Sequence, residues 1–441
     1  YMKGLRVQAR SGQRAVKYVI IAINKVRGIL FMKVFLRKFL LSAVFAAILT
    51  GFSTCYAAGG KMPVLMYHDL TNDPAKTNSM TITGERFRLD MEFLKEFGYT
   101  PLLPADLIAI RQGAMELPEK PVMITFDDGY RSNYDIAYPV LQQTGMKATI
   151  AVVAHNMAAE DTADPVRTHL LWSEMREMVE SGLVEIGSHT YNLHNPQHKG
   201  NSAPDGIDGV MRLGGESKAA YRMRVGTDLV TSIELIRQNT GQAQVNYFSY
   251  PFGAYDSWMQ PLLEENGIAV STLTNAGLAD PKGSLYNLPR YGIKMETPVS
   301  RLLQQTDTAA PALAMVSVNG VQSKLPAYNI NGSNYVRVRD VAVLLKDTPS
   351  HFDVQWNNAQ CRVELASFTP YTPIGTENKP LPEGERTVKS VTEPTVVDTV
   401  PNMVAAYQLD GYTYYKLRSL GDLCGFYVEW NNETHVVEVT A

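Results

Sequence analysis

"PVMITFDDGY", residues 121–130, is the stretch that decides the fold. Six apolar or β-branched residues run together, and two carboxylates then arrive side by side ahead of a glycine. A run of this length ending at Asp-Asp-Gly reads as a strand that enters a tight turn. A turn uses one Asp for its local backbone hydrogen bonds. The second Asp asks for a different reason.

Outward from this strand the pattern repeats. "MPVLMYH" (62–68), "ATIAVVA" (148–154), "GLVEIGSH" (182–189) and "VNYFSYPFG" (245–253) read as further strands. Between them, residues 85–98, 130–145, 173–182 and 221–241 show helical spacing of apolar residues, each stretch stopping on a glycine. Strand–helix alternation predicts an α/β fold, either a parallel sheet or an α/β barrel. His68, Asp127, Asp128, His189 and Gly253 all fall at the C-terminal ends of predicted strands, the edge where such folds build their sites.

Charge narrows the partners. The 441-residue chain carries a formal −3, but residues 1–57 hold ten Lys/Arg and no Asp or Glu, so the remainder carries −13. That argues against nucleic acid or an anionic surface as an electrostatic partner. From Met32 the basic segment has a Lys/Arg start, an apolar run over 39–52 and small residues after it. This is the layout of a secretory signal peptide cleaved after Ala57 or Ala58, with an uncleaved anchor as the alternative. The expectation is a secreted, extracellular protein, with residues 1–31 an upstream extension. Cys361 and Cys424 would remain, either as one disulfide or as two free thiols.

Past Arg301 the text changes. "LLQQTDTAAPALA" reads as a small-residue linker, placed at 302–315, and a tandem repeat follows over 316–441. "AYNINGSNYVRVRDVAVLL" (327–345) with "FDVQWNN" (352–358) returns as "AYQLDGYTYYKLRSLGDLC" (406–424) with "FYVEWNN" (426–432). Each copy predicts a hairpin turning at Asn331-Gly332 or Asp410-Gly411, a short helix, and a strand with Trp356 or Trp430, both expected in the core of the repeat, with stacking on carbohydrate as the alternative. The Pro-, Thr- and Glu-rich stretch between the copies predicts an irregular loop.

The paired aspartates have a chemical reading. Two adjacent carboxylates are not both comfortable as bare anions, and a metal bound by one leaves the other free as a base. Such a metal needs neutral nitrogen ligands, and "GSHTYNLHN" supplies His189 and His194. A five-residue spacing puts them about 140° apart on a helix, so a strand end running into a loop must aim them instead. One Asp and two His leave positions open for water and substrate, the arrangement of a catalytic rather than a structural site.

These residues resemble a known family. "TFDDGY", "SHTYNLH" and "YPFGAYD" resemble the first three motifs of the polysaccharide deacetylases, carbohydrate esterase family 4, over roughly residues 61–301. The resemblance implies a distorted (β/α) barrel for a catalytic domain at 58–301. It also implies a metal-dependent hydrolase that removes N-acetyl groups from an N-acetylglucosamine-containing polysaccharide. Carried onto this sequence, it makes Asp127 the general base and Asp128, His189 and His194 the ligands of a divalent metal. Zinc is expected, with cobalt, nickel and manganese open to the same donors. Phe252 would offer its backbone N–H to the oxyanion, beside Tyr250, Pro251 and Gly253 of the same motif.

Two departures stand out. The family's third motif usually opens on an Arg that orients the base, and here that position is Ser249; Arg290 in "NLPRYGI" is the candidate replacement. The usual late acid histidine is also missing, while "VLMYHDL" stands at the start of the domain. This resembles the circularly permuted subgroup that includes poly-N-acetylglucosamine deacetylases, with His68 as general acid. The repeats resemble copper amine oxidase N-terminal-like domains, a smaller α+β module. With only His351 and His435 they offer no copper site, so the module is expected to associate with cell wall or glycan. The rival readings are a glycoside hydrolase, which needs two acids spaced across a sugar, and an inactive glycan-binding protein on the same fold.

Overall fold

Each of the five strand-like runs between 62 and 253 forms a strand, and nearly every residue in those strands is buried. The structure is a computed structural model that describes residues 60–157, 168–195 and 209–441. The expected signal segment lies outside the described residues, as does His198, a histidine with no partner motif that reads as structural or exposed. Among the described residues, no helix is long and apolar enough to cross a membrane.

The first sheet contains β1 (Met62–Tyr67), β2 (Pro121–Phe126), β3 (Ala148–Val152), β4 (Val184–Ser188), β5 (Tyr247–Ser249) and β6 (Val270–Thr272), neighbouring one another in sequence order and all parallel. Helices α1 (Gly84–Glu96), α2 (Tyr138–Thr144), α3 (Trp172–Glu180) and α4 (Thr227–Thr240) fall between these strands along the chain. Sequence order without reversal gives a curled, half-barrel sheet in a mixed α/β fold, where a distorted barrel was expected. Beyond β6, Leu288 bridges Thr272 and Tyr291–Gly292 pairs in parallel with Leu65 and Met66. Residues 288–292 therefore touch both ends of the strand order, and Arg290 sits between those two contacts.

Register explains why remote residues meet. Tyr67 pairs with Phe126, and Ser188 with Phe248. His68 and Asp127 thus each stand one residue past one pair, as His189 and Ser249 do past the other. β3 is staggered against its neighbours, with Ile150 opposite Phe126 and Val152 opposite Ser188. Stagger of this kind accompanies curling.

The second part corrects the linker. Residues 302–315 are no spacer: they run from the end of a short helix, Val299–Leu302, into the thirteen-residue strand Thr306–Val318. That strand pairs with Val321–Ile330, Arg386–Ser390 and Val436–Thr440. Its alanines are poor strand formers by propensity, but strands on both sides provide backbone partners that override it. Residues Ala58–Ala441 accordingly hold together as one compact unit. Carboxylates of α1 reach across: Glu92 accepts the Met403 N–H (3.0 Å) and Glu96 the Ala405 N–H (3.3 Å), while Arg88 donates to the Pro401 carbonyl (2.7 Å).

Both repeat copies show the expected element order. Val321–Ile330 turns through Asn331 and Gly332 (φ 50° and 77°) into Ser333–Arg337, then α5 (Val338–Leu345) and Phe352–Asn357. Ala406–Leu409 turns through Asp410 and Gly411 (φ 52° and 80°) into Tyr412–Lys416, then α6 (Leu417–Cys424) and Tyr427–Asn431. Positive φ at both turn residues is what a two-residue hairpin needs. The tryptophans depart from expectation: Trp356 is 40% and Trp430 47% exposed. Phe352 and Val354 occupy the core face before Trp356, and the strand then runs past the core's edge. Cys361 is exposed and Cys424 buried, both free. The stretch between the copies is partly ordered into strands at Arg386–Ser390 and Thr395–Val397.

Candidate active site

The two aspartates separate because the backbone turns sharply beneath them. Asp128 and Gly129 both take left-handed conformations (φ 75° and 74°), which Asp tolerates and Gly adopts freely. A Cβ on Gly129 would also come within 2.8 Å of Val152 Cγ1. The turn leaves Asp127 buried and Asp128 facing the histidine loop.

Asp127 is held from one side. Arg290 donates to both of its carboxylate oxygens (2.8 and 2.7 Å), and Ser249 Oγ donates to Oδ2 (3.0 Å). Arg290 itself is fully buried, with Nε on the Leu273 carbonyl (2.8 Å) and further bonds to Ser249 and Thr125 hydroxyls. The fork-to-carboxylate geometry is the strongest form of this pairing. Burial alone would push the Asp127 carboxyl up, but the Arg290 guanidinium, the neighbouring His189 and the hydrogen bonds pull it well below the usual carboxylate range. Arg290 thus contacts the aspartate from a segment remote from Ser249, and Ser249 is retained as a second donor.

Asp128 meets the imidazoles. Its Oδ1 lies 3.2 Å from His194 Nε2 and 3.6 Å from His189 Nε2. One ligand atom from each of the three residues lies within 4.8 Å of the others, compact enough to surround one ion. His189 Nδ1 sits 2.7 Å from the Ser249 carbonyl, so Nδ1–H donates there and Nε2 keeps its lone pair for the cluster. Burial drives the His189 imidazole down to about 4, which keeps it neutral as a ligand must be. These donors fit a divalent ion of the zinc type.

The histidine loop has an anchor that no sequence pattern singles out. Asp228, in the first turn of α4, accepts the N–H groups of Tyr191 and Asn192, both at 2.8 Å. Those two residues sit inside the loop whose ends are His189 and His194. Burial lifts the Asp228 carboxyl to about 6, against the pull of the two N–H bonds. The one available signal was an acid at a helix N-terminus, which is too common to stand out.

The remaining site residues divide. His68 follows β1 beside Asp127; burial lowers its imidazole, and the fields of Asp127 and Asp128 oppose that. Tyr250 and Pro251 are buried and hold the turn from behind. Phe252 is 51% exposed in a left-handed conformation (φ 56°) that bulky residues rarely adopt, its ring 4.5 Å from that of His194. Gly253 follows with φ 67°, and a Cβ there would strike Thr274 Oγ1 at 2.3 Å. Of the four, Phe252 is the one whose side chain is open to solvent. His155 pairs with Tyr191 (3.2 Å), and His169 stacks on Tyr130 at 5.4 Å between ring centres.

The sequence model of the polysaccharide deacetylase family matches residues 114–271. YxkH of Bacillus subtilis, which carries a polysaccharide deacetylase name, is 30% identical over 233 residues, 53% of this chain and 71% of its own length. The poly-beta-1,6-N-acetyl-D-glucosamine N-deacetylase of Escherichia coli K12 is 28% identical over 227 residues; the match spans 48% of this chain but only 32% of the enzyme. A solved de-N-acetylase from Aggregatibacter actinomycetemcomitans overlays 55% of this chain and 98% of its own, at 27% identity and a TM-score of 0.47. The chain belongs to the polysaccharide deacetylase family.

Proposed function

We propose that this protein is a metal-dependent polysaccharide N-deacetylase acting on an N-acetylglucosamine-containing polymer. The observation that carries the reading is the split of the aspartate pair. One carboxylate is locked and ionised by Arg290, and the other is gathered with His189 and His194 into a cluster fit for one ion.

Asp128, His189 and His194 would hold the ion. When bound, a divalent ion makes water acidic enough to attack an amide near neutral pH. Asp127, kept anionic and aimed by Arg290 and Ser249, would take the proton from that water. The turn at Phe252 would lend its N–H to the oxygen on which charge develops. His68 would return a proton to the departing amine. Zinc is the expected ion, with cobalt, nickel and manganese as alternatives, and His68 ahead of β2 suits the permuted subgroup.

The basic, apolar start of the chain supports export, and an extracellular site of action suits a polymer substrate. The repeats are the expected point of contact with wall or glycan. A glycoside hydrolase fits poorly, because that chemistry wants two acids facing each other across a sugar. Here Asp127 and Asp128 share one turn, and Asp127 is engaged by Arg290.

The test is acetate release from poly-N-acetylglucosamine, chitooligosaccharide and peptidoglycan, with and without chelator, counting reducing ends in parallel. Acetate without new reducing ends, abolished by chelator, is expected. Reducing ends without acetate would return the hydrolase reading, and neither product from any polymer the inactive one.

A further inference from the structure

Beside Trp356 lies a cavity of about 170 Å³ that the chemistry above does not use. It forms where the short helix Val299–Leu302 meets the repeats. Its walls include Arg301, Gln304, Trp356, Arg362, Glu393 and Gln408. We propose that this cavity is a second carbohydrate site, one that takes a single uncharged amino-sugar ring of a polymer. The polymer identity rests on the function proposed above; the presence of the site does not.

Three observations point to that ligand. Trp356 ends its strand past the core and stays 40% exposed, so the cavity has an indole wall open to solvent. Aromatic faces of this kind pack against the apolar C–H face of a sugar while other groups take the hydroxyls. The cavity's charges are also already matched. Arg301 pairs with Glu393 at 2.7 Å, and Arg362 with Glu364 at 2.9 Å. A phosphate or an acidic sugar would have to displace these carboxylates, whereas a neutral ring need only share the outward-facing donors and acceptors beside Gln304 and Gln408. Finally, the volume falls below the roughly 300 Å³ at which ordinary ligand pockets begin, so the cavity suits one ring rather than an oligomer.

The site is remote from the chemistry. Gln305, next to the cavity residue Gln304, accepts from Lys120, which immediately precedes β2, while Asp127 follows β2 at its other end. Six strand residues span about 20 Å. A polymer held at Trp356 therefore does not compete with a sugar beside Asp128.

The test uses the full chain, metal-free in chelator, against poly-N-acetylglucosamine in affinity electrophoresis. Acetate release from a short N-acetylglucosamine oligomer is measured with metal restored. Trp356→Ala is expected to weaken polymer retention about tenfold and leave turnover of the short oligomer unchanged. Trp356→Tyr, which keeps an aromatic face, should restore most of the retention, and Gln408→Ala should weaken it without touching the indole. Retention of Trp356→Ala and Gln408→Ala equal to wild type would overturn the site, as would equal retention of polygalacturonate. Retention sensitive to Trp356 in a protein that releases no acetate would instead keep the site and remove the deacetylase.

Discussion

Each half of the molecule buries an arginine near an aspartate, and the two pairs end in opposite states. In the catalytic half, Arg290 puts two nitrogens on Asp127 at 2.7 and 2.8 Å, and the carboxyl is pulled well down. In the repeats, Arg337 comes no closer than 3.8 Å to Asp340. It lies over the Tyr412 ring at 4.6 Å and donates to Tyr414 Oη (3.2 Å) and the Lys379 carbonyl (2.9 Å). Asp340 accepts one N–H from Asn378 (2.9 Å), leaves Oδ2 without a hydrogen-bond partner, and has its carboxyl raised by burial. The same two residue types give a committed anion in one place and a reluctant one in the other. Geometry decides it: Arg337 eases the Asp340 anion from a distance without overcoming burial, whereas a guanidinium whose fork is spent on the carboxylate does overcome it.

The sharpest way to break this contrast is to remove each arginine. Arg290→Met should cost about 3–5 kcal/mol in urea unfolding, because it strands a buried anion, and acetate release should fall with it. Arg337→Met should cost about 1–3 kcal/mol, the scale of its lost hydrogen bonds. Equal losses would mean that the two aspartates are not held differently. Asp127→Asn comes next: acetate release should drop roughly 10²–10⁴-fold at unchanged metal content by atomic absorption. Asp128→Ala or His194→Ala should lose the metal itself. Full activity in Asp127→Asn would give the base to another group.

Asp228→Asn should weaken metal affinity about tenfold in a competitive chelator titration, the lower range for groups that orient ligands. Asn can accept only one of the two loop N–H groups with its oxygen. Wild-type affinity would show that the loop needs no anchor. The smallest effect is at Asp340. A folded pKa above the unfolded value of about 3.9 means that the neutral form favours the fold, and that stability is lost as pH rises through the folded value. Asp340→Asn should therefore match wild type in melts at pH 3.5 and exceed it by about 1 kcal/mol at most near pH 7. A lower melting point at pH 7 would show that Arg337 stabilises the anion after all.

The sheet and the gathering of Asp128 with His189 and His194 were legible because parallel strands announce themselves as unbroken apolar runs, and because polar residues at their ends have few structural excuses. Arg290 was legible only as a vacancy to fill: Ser249 marked a missing partner, and a late strand-like segment offered one. Asp228 was invisible, since its partners are backbone N–H groups and leave no trace in side-chain pattern. The strand at 306–318 was misread because its alanines disfavour a strand locally, and its pairing is set by partners as far as 121 residues away (Val318 to Val439). The tryptophans were misread for the converse reason. Identical position in two copies looks like packing, but a strand can outrun the core it belongs to.

The docking of α1 onto the repeats has a practical consequence for anyone who shortens this chain. Ending it at Gln305 would leave Glu92 and Glu96 without the N–H groups they cap, and Arg88 without the Pro401 carbonyl. It would also bare the Phe97 ring that now meets Tyr407 edge-on. The catalytic half trimmed this way would carry an apolar scar ringed by orphaned charges, and its solubility would report on that wound rather than on the enzyme.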